Sequence, residues 1–80
     1  MDGWLSLTQA AFISGISYQT LRRHIEREWL YAEKPRGRWI IEARVFDDYM
    51  TRRWSEGRLK MRDPETWADR MEYIQGKGKT

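Results

Sequence analysis

Tyr18, Gln19, Arg22 and Arg23 follow one another at a spacing that puts all four on one side of a helix. Arginine presents a planar fork that pairs with the O6 and N7 atoms of guanine, and glutamine pairs in the same way with adenine. The quartet is therefore suited to reading base edges in a DNA major groove. Arg36 and Arg38 flank Gly37 a little further on, and cations on such a turn suit backbone phosphate or a narrow minor groove. Nothing comparable exists for catalysis. The chain has His 1 and Cys 0, which leaves a nucleophile–base pair almost out of reach, and no carboxylate cluster has metal-ligand spacing. Asp47 and Asp48, as neighbours on a helix, do not face each other. The expectation is a binding protein, not an enzyme, with no cofactor and no metal. His24 reads as a partly buried core residue.

The elements that position these residues carry their own signals. Ser14-Gly15-Ile16 is a tight turn, and glycine permits the positive φ that such a turn uses. Ser17 sits where a helix N-cap belongs, which makes it part of the candidate site, with Thr20 at the third helical position. Beyond the cap, Leu21, His24, Ile25 and Glu28 share the inner face. Upstream, Ser6 and Gln9 form a capping box that starts a helix over residues 7–14, with Ala10, Ala11 and Ile13 at its small and apolar positions. Downstream, residues 29–32 and 39–41 are aromatic and β-branched enough for two strands around the turn 33–38. That predicts a hairpin with a basic tip, a wing, with Trp39 and Ile41 buried and Ile40 more exposed. A third helix runs from about residue 43 to 54, with Val45, Phe46, Tyr49, Met50 and Trp54 as its apolar stripe.

The expected organisation is a DNA-binding domain over 4–55, a basic linker over 56–62, an amphipathic helix over 63–75 and a disordered tail over 76–80. Asp63, Pro64 and Glu65 mark the start of that last helix. Its face of Trp67, Ala68, Met71 and Ile74 must be covered, and Trp67, Met71 and Ile74 are candidate partner-binding residues. The tail sequence G-K-G-K-T lacks the spacing and context of a phosphate-binding loop. Across the whole chain of 80 residues, Lys+Arg 15 against Asp+Glu 12 gives only +3. The clustering of arginines says more than that total. No apolar run approaches a membrane span, and no signal peptide is visible at the start, so a cytoplasmic location is expected.

With these residues in view, 5–50 resemble the winged helix-turn-helix of the MerR/excisionase superfamily. The likeness lies in L-S-L-T-Q-A-A (5–11), G-I-S-Y-Q-T-L-R-R-H-I (15–25), Leu30, the Gly37-Arg38 wing and F-D-D-Y-M (46–50). The expected fold is mainly α with a small β-hairpin, a winged helix-turn-helix plus a C-terminal helix. Among members, this chain looks like a phage-type excisionase, or recombination directionality factor. The resemblance implies that Tyr18, Gln19, Arg22 and Arg23 face the major groove and that Arg36 and Arg38 are wing contacts. It implies duplex DNA as partner, with an integrase and further copies of the chain alongside, and DNA bending that promotes excision. Two departures stand out: Glu28 where many members have glycine, and His24 where an aromatic is common. A small transcriptional regulator and a protein-binding adaptor that keeps the fold are the alternatives.

Overall fold

The local signals around Ser6 and Ser17 become two short helices in the computed structural model, which describes residues 3–76. Helix α1 (Leu7–Ser14) opens on the capping box: Ser6 Oγ accepts from the Gln9 amide at 3.1 Å, and Gln9 Oε1 accepts from the Ser6 amide at 2.9 Å. Buried Ser14 then stitches the turn, donating to the Ala10 carbonyl at 2.8 Å and accepting from the Ile16 amide at 3.0 Å. Helix α2 (Tyr18–Glu26) begins at Ser17, whose Oγ accepts from the Thr20 amide at 3.1 Å. Gly15 between them has φ 76, and the Arg62 amide donates to the Ser14 carbonyl at 2.6 Å. A Cβ on Gly15 would lie 2.6 Å from Arg62 Cγ and 3.1 Å from its backbone nitrogen, so glycine is needed twice over.

Helix α2 closes by a Schellman arrangement, with the Glu28 amide donating to Ile25 at 3.0 Å and the Trp29 amide to His24 at 2.9 Å. Glu28 takes φ 64 there, the left-handed conformation that glycine adopts without strain. The expectation that Glu28 continues the inner face of α2 is therefore corrected. It is exposed and lies beyond the helix end, in a conformation suited to glycine.

The strands differ from the predicted hairpin. Strand β1 (Trp4–Ser6) pairs antiparallel with β2 (Ile40–Glu42), with Leu5 opposite Ile41. These two side chains are 1% and 0% exposed, so the pairing is driven by joint burial. Residues 29–32 form no strand, and the Trp29 amide is committed to ending α2. The loop survives through a single bridge, Glu33 to Ile40, with N–H···O distances of 2.9 and 2.8 Å. Alternate residues of an antiparallel ladder turn their polar backbone outward, and at Ile40 those groups meet Glu33. Ile41 is buried as expected, whereas Trp39 and Ile40 are both half-buried.

Helix α3 (Ala43–Glu56) follows β2 directly and buries Phe46, Tyr49 and Met50. It runs through Ser55 and Glu56, further than predicted, and Trp54 is exposed instead of completing the stripe. Residues 57–63 are no free tether: Leu59 and Met61 pack against the core. Helix α4 (Pro64–Gln75) starts at Asp63, whose carboxylate accepts from the Thr66 amide at 2.9 Å, and lies against α1. Trp67 and Met71 are 5% and 2% exposed within the chain's own core, and Ile74 packs beside them. The reading of Trp67 and Met71 as partner-binding residues is corrected, because the chain's own core already covers them; Ile74 is half-buried at its edge. Ala68 faces outward. The predicted disordered tail lies, from residue 77 on, outside the described residues. No described helix is long and apolar enough to cross a membrane.

Two substitutions test this packing by chemical denaturation. Trp67→Ala should cost about 3–5 kcal/mol, as expected for a large buried ring. Glu28→Gly should be more stable than Glu28→Ala by about 1 kcal/mol, because alanine keeps the left-handed strain that glycine relieves.

Candidate nucleic-acid interface

Leu21, His24 and Ile25 are buried, which turns the opposite side of α2 to solvent. On that side Tyr18 is 46% exposed, and Gln19, Arg22 and Arg23 are exposed as predicted. Arg22 Nε donates to Glu26 Oε2 at 3.3 Å, one turn along, which steadies the side chain and leaves it 57% exposed. Surface pairs of this kind contribute little stability, so the guanidinium remains available. Arg23 has no ion-pair partner among the described residues. Ser17 is exposed, but its hydroxyl is occupied by the cap and also donates to Thr20 Oγ1 at 2.9 Å. Its role is to start the helix that carries the others.

The 33–40 loop folds back beside the start of α2. Between them lies a cleft of about 430 Å³, walled by Tyr18 and Arg22 from α2, Lys34, Arg38 and Trp39 from the loop, and the first turn of α1 at Thr8. Lys34 Nζ sits 4.9 Å from the centroid of the Trp39 ring, a cation–π contact that holds the ammonium over the cleft wall. Arg22, Lys34 and Arg38 all line this space and no carboxylate does, although Glu26 pairs with Arg22 from outside the lining. Arg23 and Arg36 are exposed but do not line the cleft. Lys34, Thr8 and Trp39 are functional candidates that the sequence reading missed. Lys34 stands in the basic turn and could have been included. Trp39 resembles any strand aromatic, and Thr8 any exposed helical residue.

A second set of rings and cations secures the other end of α2. His24 is buried with its Nδ1 2.5 Å from the Tyr49 hydroxyl of α3, bearing out its reading as a core residue. Burial pushes the Tyr49 hydroxyl up to about 12, so it keeps its proton and can donate to a neutral imidazole. Burial first, then the nearby Arg53, Arg23 and Arg27, hold His24 below the ordinary 6.5. Trp29 packs edge-on to His24 and has the Arg27 and Arg53 guanidiniums 5.2 and 5.3 Å from its ring centroid. Among the described residues, no group of three or more His, Cys, Asp or Glu side chains could hold a metal ion.

The sign of the His24 shift sets a pH dependence. Above 6.5 the imidazole is neutral in both folded and unfolded chains; below it the unfolded chain takes up a proton that the folded one resists. Stability should therefore fall as pH drops through and below 6.5. His24→Asn keeps an amide near the Tyr49 hydroxyl but cannot titrate, and urea midpoints between neutral and mildly acid pH should show that component gone. No protein-family model matches the chain, and no curated protein and no solved structure matches it either.

Proposed function

We propose that the chain is a sequence-specific duplex-DNA-binding protein of the winged helix-turn-helix kind, working as an excisionase-like accessory factor. The observation that carries this reading is the cleft between α2 and the loop, whose lining includes Arg22, Lys34 and Arg38 and no carboxylate. A cationic cleft in which Lys34 and Arg38 have no ion-pair partner among the described residues, beside an exposed Gln–Arg helix face, suits a polyanion that also presents base edges. In this reading α2 enters the major groove, with Gln19 and Arg23 directed to bases. The 33–40 loop acts as the wing, and Arg38 and Arg36 take the backbone or the adjoining minor groove.

The excisionase role rests on the resemblance of residues 5–50, and it brings with it DNA bending at element ends, an integrase as partner and several copies along the DNA. A dimeric regulator is less well supported, because the face it would use (Trp67, Met71 and Ile74) is spent on the chain's own core. An adaptor role loses its footing too. Glu26 is paired with Arg22 and Glu28 lies off the helix, so neither carboxylate marks α2 as a protein-binding face.

The test is a gel-shift series on a preferred and a scrambled duplex at several salt concentrations. Arg23→Ala should lose about 1–3 kcal/mol on the preferred duplex and almost nothing on the scrambled one. Arg38→Ala should weaken both alike and lower the slope of log K against log salt by about 1. Identical behaviour of the two variants contradicts the division of roles, and a flat salt response contradicts DNA binding.

A further inference from the structure

The proposed DNA reading leaves open whether the helix and the loop grip separate points of the duplex or a single one. Lys34 and Arg38 reach the cleft from the loop, Arg22 reaches it from α2, and Thr8 borders it from the first turn of α1. Three elements thus bring polar residues to the lining of one space of about 430 Å³, at the small end of the range of ligand pockets. Tyr18 and Trp39 supply aromatic walls between the cations. Arg38 and Lys34 have no ion-pair partner among the described residues, and Lys34 lies over the Trp39 ring. Arg22 already has Glu26 as a partner, but Lys34 and Arg38 share the cleft with no carboxylate in its lining, an arrangement that a bound anion would relieve. A phosphodiester meets all of these demands: its two free oxygens accept from converging donors, and its flanking sugar offers C–H surface to the rings.

We propose that this cleft is a clamp for one phosphodiester, with a flanking deoxyribose, on the strand passing from the groove read by α2 to the groove reached by the loop. The inference rests on the DNA-binding reading and adds to it. Helix and wing then share a single anchoring point, which fixes the register of both, and Arg23 is left as the arginine free to read bases.

The test uses the full chain and a short duplex that the protein itself selects from a random pool. Single neutral methylphosphonates are placed at each backbone position in turn, and affinity is measured for the wild type, Lys34→Gln and Arg38→Ala. Both substitutions lie on an exposed loop, and their thermal unfolding should match the wild type. The clamp predicts one phosphate whose neutralisation weakens wild-type binding by about tenfold or more, the scale of a charge-assisted hydrogen bond. On that duplex alone, Lys34→Gln and Arg38→Ala should cost nothing further. If both penalties persist on every modified duplex, or vanish at different phosphates, the clamp is wrong although DNA binding stands. The wild-type scan gives a second reading free of any variant: equal losses at all positions also overturn the clamp. If no duplex is selected at all, the clamp falls together with the DNA reading.

Discussion

Burial of Leu21, His24 and Ile25 decides which way every other side chain of α2 points. A helix with one apolar face can be covered in only one rotational setting, and here that setting is locked at both ends. Ser17 fixes the start through the Thr20 amide, and the Schellman closure over Glu28 fixes the finish. The hydrogen bond from Tyr49 to His24 then ties the helix to α3 with a directional contact that apolar packing alone does not supply. Rotating α2 out of this setting would strand a buried hydroxyl and imidazole. Tyr18, Gln19, Arg22 and Arg23 face outward because the alternative is costly.

The rest of the chain holds the loop against that helix. Leu5 and Ile41 bury together, which draws the N-terminal strand onto β2 and aims the 33–40 loop at the first turn of α2. Helix α4 closes the far side of α1 with Trp67 and Met71, and the Arg62 amide fastens the incoming segment to Ser14 over the bare backbone of Gly15. These supports give a molecule of modest net charge a cleft lined by Arg22, Lys34 and Arg38 and by no carboxylate. Local arrangement, not total charge, creates the field that a polyanion meets.

What could be read from the residues alone was whatever a few neighbouring positions encode. Ser6 with Gln9, Ser17 with Thr20 and Asp63 with Pro64 mark helix starts because a cap is a local hydrogen-bond motif, and all three caps form. The strand pairing was misread because Trp4 to Ser6 is short and its partner lies far along the chain; periodicity records which face is apolar, not what covers it. The same limit hid the docking of Trp67 and Met71, whose stripe was visible while its cover was not. Within the candidate site, the outward arginines followed from helical spacing. The cleft did not, since Thr8, Lys34 and Trp39 meet Tyr18 and Arg22 only after the loop folds back. Glu28 was half legible: the resemblance marks its place as one that glycine often fills, but the left-handed conformation itself is imposed by the closure of α2, against the preference of the side chain.

Amide chemical-shift mapping on the isotope-labelled protein during titration with a duplex tests the central claim most directly. The account predicts that perturbations concentrate on residues 17–23 and 34–39, the two sides of the cationic cleft, and leave the outer face of α4 around Asp69 and Glu72 unmoved. Shifts confined to α4, or none on either side of the cleft at saturating duplex, would contradict it.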